Sequence, residues 1–402
     1  MADAAEVAIV GGGPAGSALA IRLAQMGIRT LLFERQLEPE WRACGVFSSP
    51  LTRDQIVDLG LAPNDVATLA RPISALSLET LGGAVCRIDY LHGHANGFDR
   101  VRLDGALLDL ARAEGAEVRT ATVVRSIELP SKPGEYAWLD VSPTVAAHRG
   151  DRRTIKARVV VGADGSGSIV AGSAGVLGRR THLRKIGLTY QQADPAAAPA
   201  GYPMEGRFVF GRGWYAGIAP VPDARVNVGM VLPIGWISPP PSIIGKRLVG
   251  RFPGPPDEWM SAPITDDYRA AGTLEHRPDR VSGDGFLLVG DAAGFIDPLS
   301  GEGLHRALAS SEMAADAIRS GLAGDRRAME DYDRHLRSRF LTKDVVSWVL
   351  QLFIAQPGLL DYALRRLSRR ARERKTLTLV LTDQLRASRA LDPRFLLRLL
   401  AP

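Results

Sequence analysis

The segment VAIVGGGPAGSALAIRLAQMG, from Val7 to Gly27, constrains the fold of this chain more than any other stretch. Val7–Val10 is a short apolar run suited to a buried parallel strand; Gly11, Gly13 and Gly16 follow in G-x-G-x-x-G spacing, and Ala15, Leu19, Leu23 and Met26 then recur at helical intervals. Strand, glycine turn and helix in this order form a dinucleotide site. Gly11 makes the tight turn, Gly13 lets the backbone approach a pyrophosphate, Gly16 lets the helix pack on the strand, and the helix start at Pro14–Ala15 faces the anion. A second strand, Thr30–Phe33, ends in Glu34, where a carboxylate can accept hydrogen bonds from an adenosine ribose. No second complete fingerprint occurs, so one dinucleotide has a dedicated domain.

A second glycine cluster, GDAAGFIDPLSGEG from Gly290 to Gly303, lies between the apolar run Phe286–Val289 and the helix-like stretch Leu304–Ile318. A surface turn rarely needs so many backbone-permissive positions, whereas a backbone that must approach a flat or phosphorylated ligand does. The stretch reads as a binding loop.

With 402 residues, 46% hydrophobic and 23% charged, the chain has ordinary globular composition and room for two or three domains. Cys44 and Cys86 cannot build a disulfide framework or a Cys-rich metal site, and no signal-like segment precedes Val7, so a reducing cytoplasm is expected. No apolar run reaches the roughly 18 residues of a membrane span. The H-x-H pair His92 and His94 is too weak a pattern for a metal site, and none is expected. The net charge of +6 is uneven: from Arg337 onward 14 Lys/Arg face five acidic residues, a surplus of nine. No interleaved aromatics and no helix-turn-helix or RNA-binding signature accompany these cations, which argues against nucleic acid. Beside them Val345, Trp348, Val349, Leu352 and Phe353 form one helical apolar stripe, readable as core packing, as a lining for a greasy substrate, or as a peripheral contact with a membrane.

Three motifs together resemble the flavoprotein class that includes p-hydroxybenzoate hydroxylase-like monooxygenases, geranylgeranyl reductases and flavin-dependent halogenases. They are GGGPAG with Glu34-Arg35, then VVVGADGSGS with Asp164-Gly165, then the loop beginning Gly290-Asp291. Two smaller matches are RACGVFSSP, similar to the Cys-Gly loop of the reductase branch at Cys44-Gly45, and DRVRLD, which sets Arg100 near the flavin. The resemblance implies bound FAD, with NAD(P)H as a transient reductant. It places Asp291 on the ribityl or ribose hydroxyls, Pro298 at the ring edge, and Gly301, Gly303 and Leu304 where helix N–H groups face the pyrimidine. Val124 joins the implied cofactor contacts.

The implied fold is α/β: a Rossmann-type FAD-binding domain in pieces 1–72, 97–180 and 278–335, an antiparallel substrate sheet from 73–96 and 181–277, and a basic helical C-terminal region, 336–402. Three reactions run on this scaffold. Halogenases share a W-x-W-x-I-P segment and a lysine that captures hypohalous acid; here Trp214 has no second Trp after it and no lysine occurs before Lys132. Reductases carry a Y-x-W-x-F-P-K-like segment, of which Tyr215-x-Gly217-x-Ala219-Pro220 keeps only Tyr and Pro. Sequence alone therefore favours hydroxylation of an apolar aromatic, polyketide or isoprenoid intermediate, with C=C reduction as the alternative and halogenation or non-catalytic flavin binding behind. Catalytic candidates are Cys44 as a redox or proton-donating thiol, Tyr215 and Tyr190 as hydrogen-bonding groups for substrate, and His305 as a group tuning the ring. Oligomeric state is open.

Overall fold

The computed structural model describes residues 3–90, 93–132, 134–144, 152–178, 185–196, 204–236, 239–253, 256–272, 274–325, 327–381 and 385–400. Two sheets carry the architecture. In the first, five strands run parallel: Asp3–Val10, Thr30–Phe33, Glu117–Arg119, Arg153–Gly162 and Phe286–Leu288. Numbered along the chain they lie side by side as 3-2-1-4-5, the Rossmann order, whose switch point falls between Asp3–Val10 and Arg153–Gly162. Both faces of these strands are covered, which is why Val7, Ala8 and Ile9 are fully buried and why the segment is a continuous apolar run without alternation. The helix Pro14–Gln25 packs against the sheet through Ala18, Leu19, Ile21 and Leu23, with Pro14 in the first turn, where its missing N–H costs nothing.

The second sheet has nine strands in the order Ile264–Ala271, Lys185–Ala193, Arg225–Pro233, Trp214–Val221, Met204–Gly211, Ala70–Thr80, Ala95–Phe98 and Phe47–Ser48, with Val85–Asp89 paired to Ala70–Thr80. It is antiparallel except where Met204–Gly211 meets Ala70–Thr80. Residues 73–89 form the hairpin expected from sequence, and the three-residue turn Pro222–Ala224 between Trp214–Val221 and Arg225–Pro233 places Asp223 and Ala224 at positive φ. Phe47–Ser48 also joins this sheet, from a segment that sequence assigned to the nucleotide domain.

The helices Gly303–Leu322, Ala328–Ala355, Pro357–Arg369, Ala371–Leu381 and Pro393–Leu400 close the chain. In the long helix Ala328–Ala355 the core-packing reading of the stripe holds for Phe353, half-buried against the cluster that includes Tyr215, and is corrected for its exposed members. Val345, Trp348 and Leu352 are exposed, while Gln351 and Ile354, turned away from them, are buried. Polar anchoring sets that rotation: Lys185 donates to Gln351 Oε1, and the Gly213 amide donates to the Ile354 carbonyl.

Candidate active site

A large cavity of about 750 Å³ opens between the two sheets. Its first wall is the glycine loop. Gly11 has φ +106°, and a Cβ there would sit 2.5 Å from the Ala163 carbonyl oxygen; a Cβ on Gly16 would run into the Gly11 oxygen. Only glycine fits either place. Gly16 therefore packs the helix start onto the loop itself and does not reach the cavity. A Cβ on Gly13, by contrast, meets nothing within 4 Å, so the backbone there faces open space lined by Pro14, Ala15 and Arg35.

Glu34 lines the same end, but its carboxylate already holds the loop: Oε2 accepts from the Gly12 amide at 2.7 Å and Oε1 from the Gln36 amide at 3.0 Å. Each oxygen keeps a further lone pair for a sugar hydroxyl. Next along the wall come Val124 and the Asp164-Gly165 turn. Asp164 Oδ2 accepts from the Ile169 amide at 2.7 Å, whereas Oδ1 is buried with no hydrogen-bond partner among the described residues. Burial raises the Asp164 pKa. A buried orphan acceptor beside a glycine-lined void fits a ligand bearing hydroxyls.

The floor is the second glycine cluster. Gly290 at φ +58° brings the chain so close to the first helix that a Cβ would meet Ala15 at 2.7 Å, and its amide donates to Ser310 Oγ. Asp291 is open to the cavity and enclosed by protein elsewhere; that enclosure raises its pKa against the attraction of Arg100 and Arg306. Pro298, Gly301 at φ +64°, Gly303 and Leu304 follow on the wall. The 20-residue helix that starts at Gly303 has no side-chain cap, and a Cβ on Gly303 would meet nothing within 4 Å. Its first N–H groups are left for a ligand with negative charge at its edge. This cradle fits FAD: loop amides for the pyrophosphate, acidic groups for the sugars, and a helix terminus for the ring.

Above the floor stand Cys44, Gly45 and Arg100. Arg100 is clamped by Asp104 through two contacts, Nε to Oδ1 at 3.1 Å and Nη2 to Oδ2 at 3.3 Å, and donates through Nη1 to the Gly45 carbonyl at 3.1 Å. Asp104 is 3% exposed, and sequence reasoning passed it over although its i, i+4 spacing from Arg100 was visible. Enclosure pushes the Cys44 thiol above its ordinary 9.0, outweighing the opposing pull of Arg100 and Arg42, with Asp104 adding to the rise. The thiol stays protonated at neutral pH.

The roof is the second sheet, which presents Leu76, Phe208 and Val231, with Leu274 packed beside them, next to the small residues Gly217, Ala219 and Gly229. Polar groups are few: Thr189 Oγ1 donates to Asn227 Oδ1 at 3.1 Å, and Arg207 is held by both oxygens of Glu79. Tyr215 reaches the cavity, but its hydroxyl donates to Asp297 Oδ1 at 2.5 Å and so is committed to the protein. Asp297, unnoticed in the sequence, also accepts from the Leu299 amide at 2.9 Å.

Two candidates move away. Tyr190 is buried on the other face of the sheet, stacked on Tyr268 with ring centroids 4.4 Å apart. His305 is absent from the cavity wall: Leu304 and Ala307 take the inward face of their helix, and His305, about 100° round from Leu304, is turned to Gln55 Oε1 at 2.8 Å and to the edge of Phe340. A role for His305 beside the ring is thus corrected by helix phase. His92 lies outside the described residues. Among those described, no three His, Cys, Asp or Glu side chains cluster as metal ligands do.

Comparison with known proteins agrees with this geometry. The FAD binding domain family matches residues 4–207. The chain is 30% identical over 352 residues to a chloroplastic geranylgeranyl diphosphate reductase of Oryza sativa subsp. japonica, covering 85% of this chain and 72% of that one. It is 31% identical over 329 residues to the geranylgeranyl diphosphate reductase of a Synechocystis species, covering 78% and 74%. In fold it is similar to the crystal structure of a geranylgeranyl bacteriochlorophyll reductase-like protein from Thermoplasma acidophilum, with TM-score 0.79 and 20% identity over 98% of this chain and 100% of that one.

Proposed function

The chain belongs to the geranylgeranyl reductase family of FAD-dependent oxidoreductases, and from that premise we propose that it adds hydrogen across C=C bonds of an apolar, isoprenoid-type substrate. The observation that carries this reading is the Cys44 thiol, set in the cavity wall with Arg100 and Asp291 below an apolar roof. The relatives' names support it.

When bound, FAD would supply the two-electron redox chemistry, with NAD(P)H as the reductant. The chain does the rest. Loop amides at Gly13 and the helix start at Gly303 hold the cofactor's charged parts, and Asp291 orients its hydroxyls. Leu76, Phe208, Val231 and Leu274 exclude water and align a hydrocarbon. Cys44 Sγ holds the proton that the second carbon takes up, and Arg100, braced by Asp104, lies beside the thiolate left behind. Arg100 thus compensates the charge that forms.

Hydroxylation, favoured by sequence alone, is the second reading because Gly217 and Ala219 stand where the reductase-like segment has bulkier residues and widen the roof. One experiment separates the two. Enzyme reduced chemically under strict anaerobiosis is mixed with a polyprenyl diphosphate or alcohol, and product mass is read together with flavin absorbance. Gain of two hydrogens per bond with reoxidation of the flavin supports reduction. No anaerobic reoxidation, with oxygen consumed on admission of air and an oxygen atom gained by the substrate, overturns it in favour of hydroxylation.

A further inference from the structure

On the long helix Ala328–Ala355, Leu341, Val345, Trp348 and Leu352 are spaced four, three and four residues apart and are 56%, 41%, 36% and 66% exposed. That spacing aligns them on one face. A surface helix normally turns such a stripe to the core. Here two of the helix's buried residues, Gln351 and Ile354, are turned away from the stripe and fixed to Lys185 and the Gly213 amide, so the stripe cannot rotate inward without breaking both anchors.

Cations lie on the elements that follow and pack against this helix. The turn Ala387–Leu391 packs on this helix, with Ala390 clustered against Val346, and the amphipathic helix Pro393–Leu400 packs on that turn. Arg386, Arg389, Arg394 and Arg398 are exposed there, and Leu397 is 67% exposed among them.

We propose that this face docks on the surface of an anionic lipid bilayer, with Leu341, Val345, Trp348 and Leu352 entering the boundary between headgroups and chains and the arginines meeting lipid phosphates. Exposed apolar side chains with exposed cations on neighbouring elements are what such a boundary binds. No described helix is long and apolar enough to cross a membrane, so the contact is peripheral. A second copy of the chain fits less well. The stripe amounts to a patch on the order of a few hundred Å², short of the roughly 800 Å² per partner of a stable interface. The surplus of nine positive charges from Arg337 onward would also be brought against itself. The buried side of the same helix joins Ile354 to the cluster that holds Phe208 and Tyr215, so the docking face backs the cavity's apolar roof. The proposal does not depend on which reaction occurs there.

The test is flotation of the full-length, FAD-loaded protein with vesicles of phosphatidylglycerol or of phosphatidylcholine, at low and high salt. Wild type is expected to float with phosphatidylglycerol at low salt, to be released as salt shortens the Debye length, and to ignore phosphatidylcholine. The double variants Leu341→Glu/Leu352→Glu and Arg389→Glu/Arg394→Glu alter exposed residues only; each should lose flotation while keeping its flavin absorbance. Three results overturn the proposal: wild type that never floats with phosphatidylglycerol, a Leu341→Glu/Leu352→Glu variant that floats like wild type, or light scattering that shows a dimer which this variant dissolves.

Discussion

Tyr215 and Asp297 meet across 2.5 Å, the phenolic hydroxyl donating to a carboxylate oxygen, with both side chains buried where the roof sheet touches the second glycine loop. The contact fastens the roof sheet to the second glycine loop. Asp297 also accepts locally from the Leu299 amide, and Lys185 adds a nearby charge. Burial still raises its pKa.

Removing the donor should therefore cost stability. Tyr215→Phe is expected to destabilise the protein by roughly 1–3 kcal/mol in urea unfolding, the penalty of a buried acceptor losing a partner. Asp297→Asn keeps an acceptor and should cost less than Asp297→Ala. Equal midpoints for those two variants would show that the bond does not hold sheet and loop together.

Asp291 pulls stability and binding in opposite directions. Its folded pKa is raised above the unfolded value of about 3.9, so between the two values the folded protein keeps a proton that the unfolded chain has released. Stability of the FAD-free protein contributed by this group is then lost as pH rises through that window. Asp291→Asn should match wild type below the window and exceed it at neutral pH in thermal melts of apoprotein. FAD affinity should fall at the same time, by roughly 1–3 kcal/mol for Asp291→Ala in equilibrium dialysis. A variant that gains stability and keeps its affinity would place the cofactor's hydroxyls elsewhere.

The glycine loop gives a paired contrast. Gly13→Val projects into open space, so the protein should fold with a wild-type melting curve and come out colourless. Gly16→Ala drives a methyl into the Gly11 carbonyl and should cost about 1–3 kcal/mol by overpacking, independent of FAD. A yellow Gly13→Val protein would remove the pyrophosphate from this wall.

The two glycine clusters were legible because backbone that must approach a ligand leaves a direct trace in composition: of the cofactor positions read from sequence, Gly16 alone stands off the cavity, and it supports the loop from behind. Phase and pairing were harder. His305 sits next to Leu304 in sequence yet a third of a turn away in space, and Tyr190 points to the wrong face of its strand, a matter of parity that no local pattern betrays. Glu34 was found, but its grip on the Gly12 amide depends on two loops meeting. Asp297 and its partner Tyr215 are 82 residues apart. The stripe from Val345 to Phe353 was visible, but which side of the helix it faces was decided by Gln351, a polar residue inside an apolar run.

Cys44 offers the sharpest reading of the site's electrostatics, because two named neighbours push its thiol in opposite directions. Enclosure raises the pKa above 9.0; Arg100 lowers it, and Asp104 raises it. Alkylation by iodoacetamide follows the thiolate fraction, so in FAD-free protein carrying Cys86→Ser it should be slow at neutral pH and accelerate only above the ordinary thiol range. Cys86 is fully buried, and its own thiol is pushed up to about 11, so the background substitution removes a silent group. Asp104→Asn takes away a carboxylate beside the thiol and should shift the alkylation curve to lower pH; Arg100→Gln takes away the cation and should shift it to higher pH. Bound FAD should slow alkylation at every pH, since reagent and cofactor share the cavity. If both substitutions move the curve the same way, the change reports loosening of the wall and not charge, and Cys44 loses its standing as a thiol held protonated for transfer to carbon. Opposite shifts, together with a Cys44→Ala enzyme whose flavin is still reduced by NAD(P)H but whose substrate reduction falls, would tie the proton to this sulfur.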